Sequence, residues 1–290
     1  MPLGGETLLG SDFHMVPGGK GANQAVAVAR AGGHVKLVGR VGDDIFGKQL
    51  LKNLDDNGID TTFVNITVET ATGVAIIVVD DHGENSIVVV PGANDNVLPR
   101  DVEAARSILE TAQVVLLQLE IPLETVELVI RVAKKAGVPV ILDPGPARPL
   151  TPDLLSMVDI ITPNEHEAQV LAGETLHDLH DAKGIAAKLL GWGIPNVLVK
   201  LGGAGVVMAT EKGVEHIPAH KVPVEDTTAA GDSFAGGLAV ALAEGYALRQ
   251  AVDFANAVGA LAVTRLGAQS AIPTRQEVER FLKERGIAWP

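Results

Sequence analysis

The chain has 290 residues, a formal net charge of −13, no cysteine and 3% aromatic residues. This composition excludes a disulfide framework or thiolate metal site, a broad nucleic-acid surface and the stacking platforms of single-strand binders. No apolar run reaches membrane-spanning length and no secretory signal opens the sequence; 47% hydrophobic residues suit one large α/β domain in a soluble, cytoplasmic protein.

In chain order, residues 6–16 read as extended. The loop Gly18-Gly19-Lys20-Gly21-Ala22-Asn23-Gln24 then opens a small-residue helix, Ala25-Val26-Ala27-Val28-Ala29. Glycines let backbone approach a ligand closely. Lys20 adds a cation and Asn23 both donors and acceptors, the mixed equipment a hydroxyl-rich ligand needs. Residues 73–91 carry a hairpin signature: β-branched runs at 74–79 and 86–90 flank Asp80-Asp81-His82-Gly83-Glu84-Asn85. Apolar runs at 114–119, 138–142, 160–162 and 197–200 alternate with helical patterns at 123–136 and 181–191. Such alternation indicates a mainly parallel sheet covered on both faces. The turns after its strands (Gln118-Leu119-Glu120, Asp143-Pro144-Gly145, Thr162-Pro163-Asn164, Leu201-Gly202-Gly203) should gather at the edge where such sheets bind ligands.

Residues 226–234, Asp-Thr-Thr-Ala-Ala-Gly-Asp-Ser-Phe, are the most informative stretch. Ala229, Ala230 and Gly231 run into an apolar helix pattern, so their N–H groups lie at an open helix start that favours anions. An Asp in such a turn is ordinarily a cap, but Asp226, Thr227 and Thr228 already supply capping chemistry. Asp232 is left to take a proton from a hydroxyl while the N–H groups hold charge on a phosphoryl group. The chain closes with an amphipathic helix at 274–285, capped by Thr274.

Other signals carry little. Gly42-Asp43-Asp44-Ile45-Phe46-Gly47-Lys48 has P-loop spacing until Gln49, where Mg²⁺ needs Ser or Thr, and its aspartates repel phosphate. Gly202-Gly203-Ala204-Gly205 lacks the dinucleotide fingerprint. His177 and His180, beside Asp178 and Asp181, read as a solvated surface, and the sequon Asn65-Ile66-Thr67 has no secretory context.

Both glycine loops together resemble those of the ribokinase-like (PfkB) carbohydrate kinases, the first most similar to the ribokinase branch. Gly42-Asp43-Asp44 with Phe46-Gly47, Thr162-Pro163-Asn164-Glu165 with Glu167, and Lys200-Leu201-Gly202-Gly203-Ala204-Gly205 follow in the family's order. The resemblance implies a three-layer α/β sandwich with a mainly parallel central sheet over 18–72 and 92–290. A small β-sheet lid over 1–17 and 73–91 would cover the sugar site and join a homodimer. The implied reaction moves the γ-phosphoryl of ATP to the 5-hydroxyl of D-ribose.

By that resemblance Asp232 is the base, and Ala229, Ala230 and Gly231 steady the transferring group. Gly19, Lys20, Gly21, Ala22, Asn23 and Glu120 grip the sugar. Lys200–Gly205, Asn164 and Asn256 hold the nucleotide. Asn164 and Glu167 hold Mg²⁺ through water, as suits an ion that dehydrates reluctantly. Asp226, Thr228, Ala262, Arg265, Gly267 and Ala271 hold a monovalent cation such as K⁺, mostly through carbonyls. The match begins just after the segment that in this family supplies a first strand and a sugar-binding Asp. An upstream start, or reduced sugar affinity and stability, is therefore expected. Alternatives are a kinase of another small sugar or nucleoside such as deoxyribose, a non-catalytic sugar- or nucleotide-binding module, and an NAD-dependent oxidoreductase.

Overall fold

The computed structural model describes residues 5–79, 85–287 and 289. In chain order its elements are α1 (Lys20–Arg30), β1 (Lys36–Gly42), α2 (Ile45–Asp56), β2 (Asp60–Thr67), β3 (Val74–Val79), β4 (Asn85–Val90), α3 (Pro99–Ala104), α4 (Arg106–Thr111), β5 (Val115–Leu117), α5 (Leu123–Ala136), β6 (Val140–Leu142), α6 (Pro152–Leu155), β7 (Ile160–Ile161), α7 (Glu165–Ala172), α8 (Leu179–Gly191), β8 (Asn196–Lys200), β9 (Val206–Thr210), β10 (Gly213–Ile217), α9 (Ala230–Ala243), α10 (Leu248–Ala262) and α11 (Arg275–Glu284). The alternating strands and helices of the sequence pattern are all present.

The main sheet runs β10-β9-β8-β7-β6-β5. Strands β5 to β8 are parallel, while β9 pairs antiparallel with both β8 and β10. Parallel strands need both faces covered, and β6 shows how three residues do it. Val140, Ile141 and Leu142 are all fully buried. Val140 and Leu142 point into a core built with α5, α7 and α8. Ile141 points the other way, into a core built with α9, α10 and α11, as the two-residue period of a strand requires. The result is the expected three-layer sandwich. A parallel pair, β1 with β2, forms a separate piece of sheet. Among the described residues, β1 and β5 each keep one edge without a strand partner.

Helix boundaries follow local chemistry. α5 buries Val126, Val129, Ile130 and Ala133 at helical spacing and stops at Gly137, which is left-handed. α11 starts at Thr274 with a capping box to Glu277. The Gly42-Asp43-Asp44 segment is likewise structural. Asp44 caps α2 through the Gly47 N–H at 2.8 Å and accepts from the Thr72 N–H and hydroxyl, both at 2.7 Å.

The hairpin strands β3 and β4 pair as the sequence suggests, antiparallel with Val74 opposite Val90. The turn expected around residues 80–84 lies outside the described residues. Consecutive β3 residues Ile76, Ile77 and Val78 are 55%, 52% and 42% exposed, so both faces of this two-stranded sheet are open and apolar. The strand expected over residues 6–16 is not formed among the described residues: the small sheet has two strands only. Gly10-Ser11-Asp12 interrupts any alternation there, and Leu9 and Phe13 remain 99% and 82% exposed.

Candidate active site

Helix α9 is buried from Asp232 to Ala241 because nearly every side chain is small or apolar. Gly236 and Gly237 set its approach to two neighbours. A Cβ on Gly236 would lie 2.4 Å from the Ala27 Cβ of α1, and one on Gly237 2.8 Å from a Val258 methyl of α10. Backbone contact on both sides brings the start of α9 against the polar start of α1.

Asp232, 6% exposed, is the meeting point. Its Oδ2 accepts from Asn23 Nδ2 at 2.9 Å and its Oδ1 from Gln24 Nε2 at 3.0 Å. The Lys20 ammonium stands 3.7 Å from Oδ1. Gln269 Nε2 fixes Asn23 in turn, at 3.1 Å. Ahead of Asp232, Ala229 caps α9 in the left-handed region, at φ 58° and ψ 13°. The Ala230 N–H donates to the Thr227 carbonyl at 3.3 Å. The N–H groups of Gly231 and Asp232 meet no acceptor among the described residues. Of Ala229, Ala230 and Gly231, Ala230 alone has its N–H bonded among the described residues.

Asp143, at the end of β6, is fully buried and accepts on both oxygens. Lys200 Nζ lies 2.5 Å and Thr162 Oγ1 3.2 Å from Oδ1. Lys20 Nζ lies 2.9 Å and Gln24 Nε2 3.0 Å from Oδ2. Burial works to neutralise the Asp143 carboxyl, but Lys200 and Lys20 outweigh it and hold it below the usual carboxylate range. Burial likewise opposes the Lys20 ammonium, yet Asp143, Asp232 and Glu167 together raise its pKa. Lys200 also faces α9: a Cβ on Gly231 would be 3.2 Å from its Nζ.

On the other side, the Lys20 N–H donates to Glu120 Oε2 at 2.8 Å. Glu120 follows β5 and is pushed up by burial, partly offset by that bond and the Lys20 charge. Gly19, Lys20, Gly21, Ala22, Asn23 and Glu120 are therefore brought together, with the Lys20 side chain turned inward to Asp143.

Asn164 caps α7. Its Oδ1 accepts from the Glu167 N–H while Glu167 Oε2 accepts from the Asn164 N–H, both at 2.8 Å. Glu167 Oε1 is left over and borders Gly145, where a Cβ would stand 2.6 Å from it and 2.7 Å from Lys20 Nζ. Lys200 joins this region through a β-bridge to Asn164. Beyond it, Leu201-Gly202-Gly203-Ala204-Gly205 closes a tight loop, with the Leu201 N–H on the Gly205 carbonyl at 2.7 Å. Gly205 is at φ 103° and a Cβ there would lie 2.1 Å from the Ile217 carbonyl, so only glycine fits. Asn256 donates to the Pro218 carbonyl at 2.9 Å and so anchors the segment facing that loop.

Asp226 and Thr228 form a third group. Asp226 Oδ1 accepts from the Thr228 N–H and hydroxyl at 2.8 and 2.6 Å, and Oδ2 from the Gly267 N–H at 2.8 Å. Burial pushes the Asp226 carboxyl up, but the Thr228 and Gly267 bonds bring it below its usual range. The carbonyls of Asp226, Ala262, Arg265, Gly267 and Ala271 accept no hydrogen bond among the described residues. The Arg265 side chain leaves the group to pair with Glu277.

Sequence reasoning missed Asp143, Gln24 and the inward ammonium of Lys200. A signal for Asp143 exists: a carboxylate ending the all-apolar strand Val-Ile-Leu has no solvent to reach. His177, Asp178, His180 and Asp181 make no metal cluster among the described residues; Asp178 caps α8 through the His180 and Asp181 N–H groups.

The model of the pfkB family carbohydrate kinases matches residues 2–275. A ribokinase of Haemophilus influenzae is 43% identical over 96% of this chain and 91% of its own. A ribokinase of Bacillus subtilis is 44% identical over 97% of this chain and 92% of its own. The structure of an Arabidopsis thaliana ribokinase complexed with ribose and ATP superposes with a TM-score of 0.91, at 36% identity, covering 98% of this chain and 93% of that one.

Proposed function

The chain belongs to the pfkB family of carbohydrate kinases, and from that premise we infer that it is an ATP-dependent sugar kinase whose acceptor is the 5-hydroxyl of D-ribose and whose product is ribose 5-phosphate. One observation carries the chemistry. Asp232 is buried, held on both oxygens by Asn23 and Gln24, and its own N–H and that of the preceding Gly231 meet no acceptor among the described residues. A carboxylate held by amide donors is fixed in place and aimed, and a base so placed is worth about 10²–10⁴ in rate.

The 5-hydroxyl gives its proton to Asp232 as its oxygen bonds to the γ-phosphorus. The bond to the β–γ bridging oxygen breaks, and ADP leaves with that electron pair. The Gly231 and Asp232 N–H groups, with the Lys200 ammonium beside them, face the charge spread over the transferring group. Glu120 and the N–H groups of Gly21 and Ala22 take the remaining sugar hydroxyls. The loop Leu201–Gly205 and the segment held by Asn256 flank the nucleotide.

Asn164 and Glu167, whose Oε1 the capping box leaves free, would hold Mg²⁺ through water, and the ion would neutralise the phosphate charge. K⁺ fits the carbonyls of Asp226, Ala262, Arg265, Gly267 and Ala271 with Thr228, an oxygen-only set, and would stiffen the turn before α9. The open apolar faces of β3 and β4 suit a second copy of the chain, giving a homodimer through the lid. Use of ATP fits a cytoplasmic setting. The described residues contain no helix long and apolar enough to cross a membrane.

A coupled ADP-release assay with ATP, Mg²⁺ and K⁺ tests the reading. Turnover should depend on D-ribose and exceed that with 2-deoxyribose, fructose, adenosine or no sugar. Preference for deoxyribose would reassign the substrate, and absence of turnover with every acceptor would leave a binding module. Sedimentation of the wild type against Ile77→Asp should show a dimer reduced to monomer; an unchanged mass would remove the lid from the interface.

A further inference from the structure

We propose that Asp143 is a positioning residue for phosphoryl transfer: it holds the Lys20 and Lys200 ammonium groups on either side of the reaction path and balances their charge until the nucleotide arrives. The proposal rests on the sugar-kinase reading for its rate arm, but not for its binding arm.

Asp143 bonds the Lys20 and Gln24 side chains of α1 directly and reaches α9 only through its partners. Lys200 reaches from the end of β8 to the first turn of α9, beside Gly231 and its open N–H group. Lys20 sits at the start of α1 between Asp143 and Asp232. Gln24 spends both N–H bonds on the same two carboxylates, at 3.0 Å each. A carboxylate has about four acceptor sites, and Asp143 fills them with Lys200, Thr162, Lys20 and Gln24. It is therefore the hub that sets where both cations stand and, through Lys20 and Gln24, how Asp232 is oriented.

Shared bonding separates this role from mere packing. Asp143 is the carboxylate that bonds both lysines, while Asp232, Glu167 and Glu120 also act on Lys20. Loss of Asp143 leaves both ammonium groups without their shared acceptor, and the freed Lys20 ammonium can collapse onto Asp232, the proposed base. Loss of Lys200 leaves Asp143 with a single cation and removes the one beside the phosphoryl site. Loss of both removes the bonded pair together, with Lys20 and Asp232 remaining. A buried ion pair broken on one side is strongly unfavourable, and partners in one network couple in double-mutant cycles.

The experiment uses the full chain with Asp143→Asn, Lys200→Met and the double variant. Each is checked by thermal melting, assayed for ribose-dependent turnover, and titrated with a non-hydrolysable ATP analogue by calorimetry. Asp143→Asn should lower kcat about 100-fold while KM for ATP and analogue affinity stay within about threefold of wild type or improve. Lys200→Met should weaken analogue binding about tenfold, and the double variant should regain at least about tenfold in kcat over Asp143→Asn. Near-wild-type kcat in Asp143→Asn overturns the proposal. So does a double variant as impaired as the product of the single effects, with melting temperature falling in step, which would mark a purely structural ion cluster. If the wild type turns over no sugar, the functional reading fails instead. The calorimetry still decides the placement of the lysines, since unchanged analogue affinity in Lys200→Met contradicts it.

Discussion

The starts of α1 and α9 face each other across the site, and the first turn of each leaves two N–H groups open: Gly21 and Ala22 on one, Gly231 and Asp232 on the other. They differ in what stands at the mouth. Glu120 occupies the start of α1, bonded to the Lys20 N–H, whereas the Lys200 ammonium borders the start of α9. Every helix start favours anions. A resident carboxylate turns one of them into a site for hydroxyl groups, which can donate to Glu120 and accept from the N–H groups. A resident cation strengthens the other for phosphate. Two similar pieces of backbone thus divide a neutral polyol from a polyanion, and Asp232 lies on the boundary.

The largest break in this arrangement is Asp232→Asn. The amide keeps the shape and loses the base, so kcat should fall about 10²–10⁴-fold with little change in melting temperature. Turnover within threefold of wild type would remove Asp232 from proton transfer.

Glu120→Gln tests the sugar side. Hydrogen bonds to a charged group contribute about 1.5–3 kcal/mol, so KM for ribose should rise about 10- to 100-fold while KM for ATP holds. The pH dependence has a definite sign. Burial raises the Glu120 pKa, so ribose affinity should fall on acidification at a pH above the ordinary glutamate range. Stability runs the other way: a carboxyl whose folded pKa is raised favours the fold below its unfolded pKa, and that contribution is lost as pH rises through the folded value. Glu120→Gln should therefore raise the melting temperature at neutral pH and flatten the acid limb of ribose affinity. A variant that keeps the limb places its cause elsewhere.

Gly236→Ala separates the two helices. Its Cβ would meet Ala27 Cβ at 2.4 Å, and overpacking of this kind costs about 1–3 kcal/mol. Because the same contact holds Asn23 and Gln24 against Asp232, kcat should fall with stability. Gly203→Ala is the control. It meets open space and should shift stability by no more than about 0.5 kcal/mol.

These tests also show what the sequence could and could not disclose. Periodicity located α5 and the hairpin strands to the residue or nearly so, because buried strands and one-sided helices leave regular apolar patterns. The Asp232 turn and the Gly19–Asn23 loop were legible because small residues at a helix start have few other uses. Asp143 was not. Its meaning comes from Lys20 and Lys200, which lie 123 and 57 residues away in sequence. Nor could one strand of sequence show that the Asn164–Glu167 pair spends most of its oxygens on a capping box. Residues 6–16, read as extended, join no strand among the described residues for a related reason: a strand needs a partner edge, and no local pattern supplies one.

The smallest effect tests the finest detail, the left-handed cap at Ala229. A non-glycine residue there is strained by about 1–2 kcal/mol. Ala229→Gly relieves this, but the more flexible unfolded chain offsets about 0.4–1 kcal/mol. The net should be a stabilisation of roughly 0.5 kcal/mol, visible as a small rise in melting temperature. Catalysis should move the opposite way. Ala229 directs the N–H groups of Gly231 and Asp232, and a glycine cap lets them wander, so kcat should drop severalfold with KM for ribose unchanged. A rise in both stability and kcat would show that the strain is incidental and that Lys200, rather than the fixed turn, gives the start of α9 its hold on phosphate.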